Sequence, residues 1–183
     1  MLSDLYTPKQ LDTFRFAVNN DYFMLINHGA KRTGKTVLDN DLFLYELRRI
    51  KKIAAAQGVE NPQYILAGAD LGALNRNVLI ELSNKYGIEF HFDKFNRFKL
   101  FGVQVCCFGH SKINDLGRIR GMTAYGAYIN EGTMAKQEVF DETRKVHKDK
   151  EVEVIKEEPC RLSFETLKAD EEANPAQKVG QDT

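Results

Sequence analysis

The order of apolar runs and glycines predicts an α/β fold, with a mainly parallel sheet flanked by helices. Three observations carry that expectation. The apolar run Asp21-Tyr-Phe-Met-Leu-Ile-Asn27 has strand length and no alternation, as expected of a strand buried on both faces. A glycine-bearing turn follows it, and then Val37, Leu38, Leu42, Leu44, Tyr45 and Leu47 recur at near-helical spacing. Finally, Pro62–Ala69 reads as another buried strand, leading into the amphipathic segment Leu74–Tyr86. Such β-α-β-α alternation builds a doubly wound sheet.

At 183 residues the chain has the length of one ordinary domain, and 43% hydrophobic residues suffice for a single core. The formal net charge of +0 gives no global basic field, so any nucleic-acid contact must be local. Cys106 and Cys107 are adjacent and Cys160 stands apart, which fits neither a disulfide framework nor a zinc pattern. A reducing cytosolic setting is the simplest inference. The N-terminus lacks a basic and apolar leader, and no later run reaches membrane-spanning length. The expectation is a soluble, cytoplasmic protein.

In chain order, Thr7 is placed to cap a helix whose first turn holds Pro8, continuing through Gln10 to Ala17. Gln10 can donate to and accept from adenine's N6/N7 edge. On residue type alone, it is more simply a surface glutamine of a capping turn. Next comes Gly29-x-x-x-x-Gly34-Lys35-Thr36, which satisfies the phosphate-binding loop pattern at every required position. Its glycines let successive N–H groups point inward as an anion nest. Lys35 is expected to reach the β- and γ-phosphates of ATP, and the Thr36 hydroxyl to ligate Mg²⁺. A helix beginning at Gly34 adds its positive dipole end to the same place.

That helix is expected to run to about Gln57 and stop at Gly58, its basic cluster Arg48-Arg49-x-Lys51-Lys52 forming a solvated face. Asp70 falls at a strand's carboxyl end, where ligands bind in such sheets, but a helix N-cap is the preferred reading. Ile88–Asp93 alternates, Asn96-Arg97 turns and Phe98–Phe108 resumes as strand, which predicts an inserted β-hairpin. His91 and His110 show no metal spacing and read as structural. Arg118 and Arg120 sit in a glycine-flanked loop able to offer a guanidinium to a phosphate or a neighbouring subunit.

Another chemical stretch is Ala127-Tyr128-Ile129, which ends abruptly in Asn130-Glu131. In ATPases with this loop, another strand delivers an Asp to the Mg²⁺ shell, often beside a Glu that acts as general base. Glu131 occupies the base position and Asn130 stands where the Asp is expected, able to serve the metal only as a neutral ligand. The plainer alternative is a strand running into a polar turn.

Taken together, Tyr6-Thr-Pro-Lys-Gln10, Gly29-Ala-Lys-Arg32-Thr-Gly-Lys-Thr36 and Arg118–Met134 resemble the N-terminal ATPase of tailed-phage terminase large subunits, nearest to the PBSX-type branch. The resemblance covers roughly residues 5–143. It implies a P-loop NTPase sheet of the ASCE type, cradling ATP with Gly29, Ala30, Lys31, Arg32, Thr33, Gly34, Lys35 and Thr36. It makes Gln10 an adenine contact, Arg32 a phosphate-sensing arginine and Glu131 the catalytic carboxylate, with Thr36 and Asn130 at the metal. It further implies double-stranded DNA, a portal protein and a small terminase subunit as partners, a homo-oligomeric ring, and a bacterial host cytoplasm.

Departures accompany the matches. Neither a coupling motif on a further strand nor a nuclease domain with clustered acids follows, so the expectation is a truncated or split motor without nuclease activity. Residues 1–143 are read as an incomplete ATPase domain. Residues 144–183 are charge-dominated and read as a weakly ordered tail, with a short strand at Val152–Ile155 or a helix at Leu162–Leu167 as options.

Overall fold

The structure is a computed structural model that describes residues 5–29, 32–111 and 116–146. Ala30 and Lys31, and the tail from residue 147 onward, lie outside the described residues. Helix α1 spans Pro8–Asn19 and opens with a capping box, in which Thr7 Oγ1 accepts from Gln10 N and Gln10 Oε1 accepts from Thr7 N. This reciprocal pairing satisfies two otherwise orphaned backbone donors. Helix α2, Lys35–Ala56, starts after Gly34 and ends before Gly58, both at positive φ (79° and 70°). The glycine punctuation read from the sequence therefore sets both ends.

Strand β1 is Gln63–Gly68, followed by a continuous helical stretch made of α3 (Leu71–Leu74), a π-helical turn (Asn75–Leu79) and α4 (Ile80–Tyr86). Asp70 Oδ1 accepts from Ala73 N at 2.7 Å, the N-cap expected of it. The buried Asn40 of α2 donates to Asn77 O inside the π turn. Then come β2 (Arg97–Leu100), β3 (Val103–Gly109), α5 (Leu116–Arg120), β4 (Ala124–Ile129) and α6 (Gln137–Lys145).

The sheet order is β2-β3-β1-β4, with β1 parallel to both β3 and β4 and β2 antiparallel at one edge. Alternation along the strands divides two cores. Tyr64, Leu66, Val105, Cys107 and Tyr125 face α2 and α4, where Phe43, Leu47 and Leu82 are almost fully buried. Ile65, Ala67, Cys106, Phe108 and Ala124 face α5 and α6 through Leu116, Ile119 and Val139. Each fully buried aliphatic side chain contributes roughly 1.5–3 kcal/mol. Gly126 lets β4 come close, since a Cβ there would stand 2.6 Å from the Tyr64 ring.

Two elements differ from expectation. The run 21–27 joins no strand of the described sheet. Its apolar side chains are instead half-buried against neighbouring elements, with Phe23 exposed. Tyr22 and Leu25 pack with Ala17, Leu38 and Leu42, while Met24 packs with Ala135 and Phe140. Apolarity specified burial and not pairing. The hairpin also turns elsewhere, at Phe101-Gly102, where both residues take positive φ (50° and 79°) as a tight two-residue hairpin turn requires. Ile88–Asp93 is no strand. Its alternation serves packing, with Phe90 and Phe92 each edge-on to Phe98. The second hairpin strand, β3, is itself a parallel strand beside β1.

Candidate nucleotide-binding site

In a doubly wound sheet the connections on opposite faces diverge at the strands' carboxyl ends, leaving a ligand crevice there. Here those ends carry Ala69-Asp70, His110-Ser111 and Asn130-Glu131, drawn together by backbone bonds. His110 N donates to Gly68 O (2.7 Å), Ser111 N to Ala69 O (3.3 Å) and Asn130 N to Ala67 O (2.8 Å).

The phosphate-loop residues lead into α2. Gly29, Arg32 and Gly34 all have positive φ (146°, 63° and 79°), the kind of backbone that turns amides inward. Lys35 Nζ donates to Gly29 O and lies 3.5 Å from Thr33 Oγ1, so the ammonium stays over its own loop. Arg32 is exposed, and Thr36 is half-buried in the first turn of α2. Gln10 Nε2 donates to Gly34 O at 2.9 Å while its Oε1 serves the α1 cap. The capping-turn reading of Gln10 is thus met, and the same amide ties α1 to the loop.

Glu131 follows β4, exposed and in the left-handed region (φ 57°, ψ 47°), leading into a 3₁₀ turn over Gly132–Met134. Asn130 is buried, and its Nδ2 has no protein partner among the described residues. An amide N–H is a donor, so this edge of Asn130 suits a phosphate oxygen or a metal-bound water and not a cation. Its carbonyl oxygen accepts from His110 Nε2 at 2.8 Å.

Residues assigned no chemical role from the sequence lie beside these, Asp39 and Tyr128 among them. Asp39, one helical turn beyond Lys35, accepts from Asn27 Nδ2, and burial pushes its pKa up to about 6 against the opposing effects of Asn27 and Lys35. The i, i+4 spacing from Lys35 was the available signal. Burial raises the Tyr128 phenol, and the Asp39 and Glu131 carboxylates add to it from α2 and from the end of β4. Asp41 is a buried node accepting from Tyr6 Oη, Lys85 Nζ and Tyr86 Oη. His110, read as structural, is fully buried at the crevice. Arg118 is engaged within the fold, donating to Phe95 O and lying over the Phe108 ring, and Arg120 pairs with Glu142. No group of three or more His, Cys, Asp or Glu side chains forms a metal cage among the described residues.

No protein-family profile matches the sequence, and no curated protein matches it. Solved structures do. The large terminase from a thermophilic bacteriophage superposes with a TM-score of 0.57 at 18% identity, covering 77% of this chain and 36% of that one. The fold is shared with that terminase over the matched stretch. The same phage's large terminase in complex with ATP-γ-S gives a TM-score of 0.56 at 19% identity, and its ADP complex 0.55 at 18%. These cover 77% of this chain and 34% and 35% of the other. The chain therefore spans about a third of the length of the terminases it resembles, and the likeness is one of fold. Among the described residues no helix is long and apolar enough to cross a membrane.

Proposed function

We propose that this chain binds ATP with Mg²⁺ at the loop 29–36 and hydrolyses it, serving as the nucleotide-driven part of a phage DNA-packaging motor. The carrying observation is a phosphate loop of positive-φ residues opening α2 at Lys35, in a fold shared with terminases. The loop amides, Lys35 and the first turn of α2 hold the phosphates. Glu131 takes a proton from a water whose oxygen attacks the γ-phosphorus as the bond to ADP breaks. Lys35 and Arg32 offset the charge that develops.

The donor chemistry fits a Mg²⁺ that arrives with the nucleotide, since such an ion takes few protein ligands and keeps waters and phosphate oxygens. The Thr36 hydroxyl would hold it directly and Asn130 through a water, and when bound it supplies charge neutralisation at the phosphates. Gln10 lies beside Gly34 on the side from which adenine contact is proposed. Double-stranded DNA, a portal protein, a small terminase subunit and further copies of this chain complete the proposed assembly in a bacterial host cytoplasm.

The test is phosphate release by the purified chain. Lys35→Ala should abolish tight binding. Glu131→Gln should keep binding and lower turnover by about 10²–10⁴-fold, the usual worth of a general base. Unchanged turnover in Glu131→Gln would remove that residue from the mechanism. A second reading is a nucleotide-binding module without turnover, favoured by Asn130 in place of an acid. It predicts Lys35-dependent binding and no phosphate release.

A further inference from the structure

We propose that His110 is a positioning residue for Glu131, acting through the Asn130–Glu131 peptide. This rests on the assignment of Glu131 as the base. His110 follows β3 and Asn130 follows β4, yet β1 lies between those strands. The imidazole reaches across the carboxyl end of β1 to meet Asn130 O at 2.8 Å, in a buried contact. A carbonyl oxygen only accepts, so Nε2 carries the proton.

This bond adds a side-chain restraint to the peptide that leaves β4. Asn130 N is held by Ala67 O, and Glu131 O accepts from Met134 N at 2.9 Å. Between those anchors, the contact on Asn130 O among the described residues is the one from His110 Nε2. Glu131 itself sits at φ 57°, which a residue with a Cβ adopts only when its surroundings hold it there. Release of Asn130 O lets Glu131 relax toward an ordinary φ, which displaces its carboxylate. His110 O also accepts from Lys136 N (3.1 Å), so one residue secures both ends of the 130–136 turn.

The histidine's Nδ1 has no protein partner among the described residues. A histidine retained only for packing gains nothing from a buried ring nitrogen without a partner. What this ring contributes is the reach of Nε2.

The experiment compares His110→Gln, whose amide nitrogen extends as far as Nε2, with His110→Asn, which is polar but too short. Both are measured for kcat, KM for ATP, ADP affinity and the backbone amide resonances of Glu131–Met134. His110→Asn should lower kcat about ten- to a hundredfold, the scale of an ångström-level misplacement, with KM and ADP affinity within about threefold. His110→Gln should recover most of the rate. In a Glu131→Gln background, His110→Asn should cost nothing more. Equal rates in the two variants, or an undiminished loss in that background, would overturn the proposal. If wild-type protein shows no Lys35-dependent phosphate release, the catalytic reading fails and the resonances decide the geometry. They must move in His110→Asn and return in His110→Gln while Lys35 and Thr36 stay put. Unmoved Glu131 resonances overturn the proposal.

Discussion

Asp41→Asn tests how the N-terminal segment is fastened to α2. Asp41 is 7% exposed and accepts from Tyr6 Oη at 2.6 Å, Tyr86 Oη at 2.7 Å and Lys85 Nζ at 2.7 Å. Burial alone lowers the Lys85 pKa, but its bonds to Asp41 and Tyr86 outweigh that and the net direction is upward. Each bond to a charged acceptor is worth about 1.5–3 kcal/mol. The simple sum overstates the loss, because Tyr86 is 47% exposed and the Lys85 side chain 37%, so both donors regain water. A net destabilisation of about 2–4 kcal/mol remains, as for a buried pair that loses one partner. For a chain of this size that lowers Tm by roughly 6–12 °C. Urea melts followed by circular dichroism measure it. Tyr6→Phe alone should cost about 1 kcal/mol, and less again when Asp41 is already Asn. An Asp41→Asn protein within about 0.5 kcal/mol of wild type would refute the node.

Further outcomes follow from the same geometry. Asp39 has its pKa raised to about 6, so its folded form favours the proton and it costs stability once ionised. Asp39→Asn should therefore be more stable than wild type by about 1–3 kcal/mol above pH 7. The gap should close as pH falls from 6 to below 4; a gap independent of pH in chemical melts would contradict the assignment. Gly34→Ala meets both a positive φ and a Cβ placed 2.5 Å from Gln10 Nε2. It should cost about 1–2 kcal/mol and weaken ADP binding, read by calorimetry. Burial pushes the Cys106 thiol up to about 11 and the Cys107 thiol to about 12. In a Cys160→Ser variant neither should react with a disulfide reagent at pH 8 until the protein unfolds.

Much of this architecture is written in local chemistry. Gly34 and Gly58 bracket α2, Asp70 caps α3, and Gly87 at φ 66° ends α4, each because one residue satisfies a backbone demand that its neighbours do not. The misread elements are those where periodicity reports burial alone. In residues 21–27, Tyr22, Met24 and Leu25 pack half-buried on neighbouring elements, and Ile88, Phe90 and Phe92 alternate because they pack on the core and on Phe98. Neither pattern names a strand partner. The loop residues proposed for the site stand out in the sequence because a phosphate nest needs glycines at fixed spacing. Asp41 and His110 do not, since their partners lie 35 and 20 residues away, and the i, i+4 spacing of Asp39 from Lys35 does not reveal its partner Asn27, 12 residues before it. Only the fold brings those pairs together.

The measurement that decides the account is a thermal-shift titration with Mg-ATP on wild type and Lys35→Ala. Ligand that binds only the native state should stabilise wild type by about 2.7 kcal/mol at a hundred times Kd. That shift is expected in wild type and not in Lys35→Ala. Equal melting temperatures with and without Mg-ATP in wild type, or the same shift in both proteins, would contradict nucleotide binding at this loop.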